Sequence, residues 1–199
     1  MNAEQPVATQ EAAVMPLRVD AQRNAARVLE AARRAVASHG LDVSYHEIAR
    51  QAGVGVGTVY RRYPERDQLM AAVLGDILTE LIDTAHRALR SDDAWEGFSM
   101  LFTGLAMRTV QNTGLSGSLD QHGGPVIAER RHELLGLVHK VIERAQDDGC
   151  LRRDLAWQDV LQLTGAVAVQ GCVLGVEPDP ARGHRSVLTV LLDGLRVGG

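Results

Sequence analysis

The chain has 199 residues, 45% of them hydrophobic, enough for one helical domain of ordinary size or a small domain sharing a core with a larger one. A net charge of −4 does not by itself suggest nucleic acid, and two cysteines outside any CxxC or zinc spacing imply neither a disulfide framework nor a metal site. No apolar run approaches the ~18 residues of a membrane helix, and the N-terminus lacks the basic and apolar regions of a secretory signal, so the expected location is cytoplasmic with no membrane partner.

Residues 1 to about 17 are polar and Ala-rich, with Pro6 and Pro16, and read as a disordered tail. The tail has no Arg or Lys before Arg18, which makes it a poor groove-binding arm. Asp20 is the expected cap of a first helix. Its apolar stripe is Ala21, Ala25, Val28, Leu29, Ala32 and Val36, and Gly40 ends it. Charge is uneven along the chain. From Arg18 to Arg66 nine arginines face five acids, a net of +4, which leaves −8 for the rest. A basic head on an acidic body is the asymmetry expected where one part meets phosphates.

Ser44 and Glu47 have the spacing of a capping box, so a short helix is expected through about Ala52, closed by Gly53. A second short helix is expected from about Val56 to Arg62, stopped by Pro64. Two short helices around a Gly-containing turn form the helix-turn-helix plan. Ile48, Ala49 and Val59 take its buried positions, and Val54 plugs the space between the helices. Gly55, Val56, Thr58, Tyr60, Arg61 and Arg62 are left more exposed, a small, hydroxyl, aromatic and basic set suited to a major groove.

A long helix follows, from about Pro64 to Leu89. Its inner face is Leu69, Val73, Ile77, Leu81 and Ala85, widened by Met70, Leu74, Leu78 and Ile82. Another is expected from about Ala94 to Thr113. Gly114 to Gly124 is the main breaker segment and reads as a mobile loop. A helix from Pro125 to near Asp148 comes next, then one capped by Asp154 and running to about Leu174. A second loop spans Gly175 to Gly183, and the last helix runs from about His184 to Val197. No strand pattern or internal repeat stands out, so the fold class is all-α.

Residues 48 to 73, IARQAGVGVGTVYRRYPERDQLMAAV, resemble the TetR family of regulators, whose pattern is I-A-x-x-A-G-V-x-x-G-T-x-Y-x-x-[FY] followed by a basic position and a Leu. Further on, Gly149 to Leu155 resembles the G-x-L-R-x-D-L turn that commonly precedes that family's penultimate helix. The resemblance implies an N-terminal three-helix bundle carrying the helix-turn-helix, and a larger helical domain for ligand binding and dimerisation. The domain organisation expected is a tail over 1–17, a DNA-binding domain over 18–66 and a sensing and dimerisation domain over 67–199. The function implied is a repressor released from a palindromic operator by a small molecule. Its partners would be double-stranded DNA, the effector and a second copy joined through the last two helices. By the same resemblance Thr58 and Tyr60 fall on phosphate-contacting positions, and Arg66 falls where a basic residue often lies near the DNA backbone. The expected DNA-contact set is Ser44, Tyr45, Gly55, Val56, Thr58, Tyr60, Arg61, Arg62 and Arg66. Three positions depart from the pattern: Gly55 where Ser is common, Arg62 where His is frequent, and Glu65 where Ser or Thr often caps the next helix.

Trp95, Met100, Phe102, Leu105 and Met107 are candidates to line an effector pocket, with His122 as its gate, although each also suits a plain core position. An aromatic content of 4% favours an aliphatic-lined cavity over a cation cage. His132 and His139 share a helix face but lack a third ligand, and Cys150 reads as a passive thiol. No cofactor, metal or catalytic residue is expected, because no nucleophile elbow, phosphate loop or metal triad is present. The rival classes are a helical protein-interaction module, with the arginine-rich head on an acidic protein, and an enzyme of unknown class.

Overall fold

A computed structural model of the chain describes residues 14–39, 43–111, 124–167 and 183–198. Among these residues eight helices follow one another: α1 (Val14–His39), α2 (Tyr45–Ala52), α3 (Val56–Arg62), α4 (Arg66–Arg90), α5 (Ala94–Gln111), α6 (Gly124–Asp147), α7 (Trp157–Ala166) and α8 (Gly183–Leu195). The only β-type pairing among them is an isolated bridge between Leu151 and Arg196. The chain divides into two compact units, the first ending at Leu69 and the second beginning at Met70, so α4 starts in one and continues through the other.

In the first unit, α1 packs on α2 and α2 on α3. The α1 stripe holds at Val28, Ala32 and Val36, joined by Ala31 and Ala35, all fully buried. Ile48, Ala49 and Ala52 of α2 and Val59 of α3 are buried in the same unit. Small alanines let short helices cross closely, which suits a unit too small for a bulky core. Two expectations are corrected at its start. The helix begins at Val14, inside the segment read as tail, and Asp20 therefore lies within the helix and is not its cap. Pro16 falls in the first turn, where a missing amide hydrogen removes no helix bond.

In the second unit, the wide inner face of α4 is buried as its pattern requires, from Met70 and Val73 through Ile77, Leu81 and Ala85. Phe98, Leu101 and Phe102 of α5 pack against Val138 and Ile142 of α6 and Val160 of α7. The carbonyls at the end of α4 are satisfied by one side chain. Arg144 of α6 donates to the carbonyls of Ala88 at 3.2 Å, Leu89 at 2.9 Å and Ser91 at 2.5 Å. The following chain turns so tightly that a Cβ at Gly97 would meet the Ala88 carbonyl oxygen.

The turn at Gly149–Leu155 explains its own sequence. Gly149 adopts φ +76°, a conformation that favours glycine, and the fully buried Leu151 anchors the segment. The Arg152 amide donates to the Leu195 carbonyl at 3.1 Å, and the Val197 amide donates to the Cys150 carbonyl at 3.0 Å. Arg153 Nε caps the end of α6 through the Gln146 carbonyl at 2.7 Å. Asp154 was expected to cap the next helix; it does not. Its carboxylate accepts a two-pronged bond from Arg152, which holds its pKa below the ordinary value, and α7 starts only at Trp157. The charge-assisted fork two residues away outcompetes neutral backbone amides. Asp159 takes the capping task by accepting from the Ala156 amide at 3.0 Å. The continuation of this helix to Leu174, the Gly175–Gly183 loop and most of the Gly114–Gly124 segment lie outside the described residues.

Candidate nucleic-acid interface

The two short helices are set by their ends. Ser44 has extended backbone and its hydroxyl accepts from the Glu47 amide at 3.2 Å, the cap its sequence predicts. Gly53 closes α2 with φ +64°, and its amide bonds back to the Arg50 carbonyl at 3.2 Å. Two residues later Gly55 opens α3, and no side chain caps that helix. An uncapped α3 start leaves backbone amides available to an anion. The Glu47 carboxylate accepts from Arg50 at 2.8 and 2.5 Å and from Gln51 at 2.8 Å, so its charge is balanced within α2.

On α3 the split between core and surface follows the helical angle. Val59 is fully buried, whereas Tyr60 beside it is 51% exposed. Arg61, Arg62 and Gly55 are exposed, and Val56 and Thr58 are half-exposed. Arg61 Nη2 donates to the Thr58 hydroxyl oxygen at 3.2 Å, one turn back on the same face. That bond occupies an oxygen lone pair of Thr58 and leaves its O–H free to donate. The Arg62 guanidinium lies 5.7 Å from the centre of the Tyr63 ring, a cation–π distance. The surface of α3 thus presents two guanidinium groups and two hydroxyls around a helix start, the donor set that phosphates and base edges accept.

Two members of the expected contact set are placed otherwise. Tyr45 is buried, at 7% exposure, and its hydroxyl donates to the Tyr63 carbonyl at 3.0 Å. Burial raises the Tyr45 pKa, and the nearby charge of Arg66 opposes that rise. The ring rests against Tyr60 with centroids 4.8 Å apart. Arg66 is half-buried, and its Nη1 donates to the Val43 carbonyl at 2.8 Å. Tyr63 and Val43 escaped the reading of the sequence. An indication was available, since all three tyrosines of the chain fall between residues 45 and 63.

The candidates for an effector pocket separate in the same way. Phe102 and Leu105 line a small apolar cleft with Phe98, Leu101, Ile142 and Thr164, among others. Its empty volume is about 220 Å³, and it is partly open at the surface. Trp95 packs on Phe98 at 5.5 Å and under Arg196 at 5.0 Å and does not itself line the cleft. Met100 lies at the surface, 36% exposed, and Met107 is half-buried without lining the cleft. His122 lies outside the described residues. His139 stacks on Trp157 at 5.2 Å and pairs with Glu143 at 3.4 Å, and burial pushes the Cys150 thiol up.

Residues 28–73 match the family described as bacterial regulatory proteins, tetR family, and residues 92–197 match the C-terminal domain of SbtR-like transcriptional regulators. An uncharacterised HTH-type transcriptional regulator of Mycobacterium tuberculosis is 45% identical over 60 residues, 28% of this chain and 32% of that protein. The chain therefore spans about a third of the length of the curated relatives it matches first. A TetR transcription regulatory protein of Mycobacterium vanbaalenii, known as a crystal structure, is 33% identical. The match covers 92% of this chain and all of that one, with a TM-score of 0.64. AibR, solved in complex with isovaleryl coenzyme A and operator DNA, shares the fold at 16% identity and a TM-score of 0.64, over 87% of this chain and 97% of that one. With two family descriptions together spanning most of its length and a helix-turn-helix built as its sequence requires, the chain belongs to the TetR family of helix-turn-helix transcriptional regulators.

Proposed function

We propose that this regulator binds double-stranded DNA as a homodimer, with α3 in the major groove, and leaves a two-fold operator when a small molecule enters its helical body. The head of this reading is residues 18–66 and the body is residues 67–199. The observation that carries it is the face of α3, where Thr58, Tyr60, Arg61 and Arg62 are displayed on a helix held down by Val59. Ser44, Gly55 and Val56 complete the proposed contact set. Arg61 serves a phosphate in this reading, because its guanidinium stays on the Thr58 face and Arg62 follows it at once.

Dimerisation is supported by α8. Val187 and Val190 are 45% and 69% exposed in the single chain, and Leu188 and Leu191 are half-buried behind them. A second copy covering this stripe would remove that apolar area from water. The effector is proposed to enter between α5, α6 and α7, where the cleft walls are apolar apart from Thr164. AibR, a fold-level relative crystallised with both a ligand and operator DNA, supports a regulator that answers to both kinds of partner. Regulation rather than catalysis is the proposed activity, and the cytoplasm its proposed place. No helix among the described residues is long and apolar enough to cross a membrane.

Selection of bound fragments from random-sequence DNA, at two salt concentrations, tests the reading. The expected product is an inverted repeat with half-site centres about 34–36 Å apart, or a multiple of that spacing. Binding should fall steeply with salt. A single unrepeated element bound by a monomer, or no enrichment at either salt, would refute it.

A further inference from the structure

The position of Arg66 carries an inference that rests on the DNA-binding reading and goes beyond it. Arg66 opens α4, where a cation is well placed to meet a phosphate. Nη1 is spent on the Val43 carbonyl at 2.8 Å, immediately before the cap of α2. Nη2 is enclosed and has no hydrogen-bond partner among the described residues. The charge of Arg66 opposes the rise that burial brings to the Tyr45 phenol. Tyr45 in turn donates to the carbonyl of Tyr63, the residue that closes α3, and its ring supports the ring of Tyr60. Arg66 therefore joins the start of α4 to the start of α2. Tyr45 joins the start of α2 to the end of α3 and to the exposed residue of the recognition face. By contrast, Arg61 and Arg62 are exposed at the surface of α3.

We propose that Arg66 is a positioning residue and not a phosphate contact: together with Tyr45 it forms a strap across the head that holds Tyr60 where its hydroxyl can meet DNA. The chemistry demands arginine. A planar fork can hold one carbonyl while its other nitrogen stays within the fold, whereas a lysine ammonium is a strongly hydrated point charge. For a phosphate contact, lysine would serve nearly as well, because charge alone releases the counterion.

The test uses the full-length chain and an operator from the selection above. Affinity is measured across a salt series for wild type, Arg66→Lys, Arg66→Met, Tyr45→Phe, Tyr60→Phe and the double variant Arg66→Lys/Tyr60→Phe. Circular dichroism checks each fold. Failure of wild type to bind any DNA would overturn the DNA-binding reading itself and the strap with it. Given wild-type binding, Arg66→Lys should weaken it about ten-fold or more, as expected for losing a charged hydrogen bond. Arg66→Met should be no better, and both should keep the wild-type slope of log affinity against log salt. Tyr45→Phe removes no charge and should also weaken binding at an unchanged slope. The double variant should bind more tightly than the product of the two single losses predicts, because both act through Tyr60. Three results would each overturn the strap: wild-type affinity in Arg66→Lys; a slope lower by about 0.9 per subunit in Arg66→Met and restored by Lys; or losses that simply multiply. If Arg66→Met does not fold, the Lys and Tyr45→Phe arms still decide.

Discussion

The head and the body are built on opposite plans. The head has two short helices beside a 26-residue one, a core of alanines and valines, and side chains that lock onto backbone at Ser44, Tyr45 and Arg66. The body has a phenylalanine and leucine core and arginines that cap helix ends, most fully Arg144 at the end of α4. The difference follows from what each must present. A reading surface has to keep its working side chains outside, so its few buried atoms must be fixed by hydrogen bonds. A body proposed to hold an apolar molecule can be fixed by the packing of the side chains that line its cleft.

The largest effect should come from the body core. Phe98 is 2% exposed and meets Trp95 and Phe102 at 5.5 and 5.6 Å, so Phe98→Ala should lose about 3–5 kcal/mol of stability in denaturant unfolding. A loss below about 1 kcal/mol would mean that the cleft collapses freely and that packing does not fix this region.

The next prediction concerns neighbours on α3. Tyr60→Phe should weaken operator binding by about 1.5–3 kcal/mol per subunit with little change in melting temperature, the value of a hydrogen bond to a charged group. Val59→Ala should lower stability by about 1–3 kcal/mol and affect DNA only through a loosened head. Tyr60→Phe melting the protein at unchanged affinity would reverse the assignment of surface and core.

Smaller effects come from backbone and surface. Gly53 has φ +64°, so Gly53→Ala should cost about 1–2 kcal/mol of head stability in thermal unfolding, from strain that a larger side chain cannot relieve. The smallest is at the exposed pair of Arg34 and Glu30, where both side chains are more than half exposed. Arg34→Ala should change stability by less than about 0.5 kcal/mol. A larger change would show that surface charge, and not the internal locks, holds the head together.

The elements legible in advance were those whose partners lie within one helical turn. The Ser44 cap uses residue 47, the Gly53 exit uses residue 50, and the inner face of α4 is a repeat that burial confirms down its length. Of the candidates named for an effector pocket, Phe102 and Leu105 line the apolar cleft, and Trp95, Met100 and Met107 do not. Apolar character marks burial without saying against which wall. Asp154 was misplaced because a nearby arginine offered a stronger bond than a backbone amide.

By itself the sequence determined an all-helical chain, a helix-turn-helix between Ser44 and Tyr63, the burial of Val59 beside an exposed Tyr60, and a basic head before an acidic remainder. Each rests on periodicity, local caps or plain counting of charge. Only the tertiary structure decided that Tyr45 reaches residue 63, that Arg66 reaches residue 43, and that Arg144 closes α4 from more than fifty positions away. A long side chain with a polar tip can face water, DNA or a carbonyl at nearly equal cost along the chain. Which one it meets depends on the acceptors that folding brings within about 3 Å, and spacing in sequence does not encode that distance.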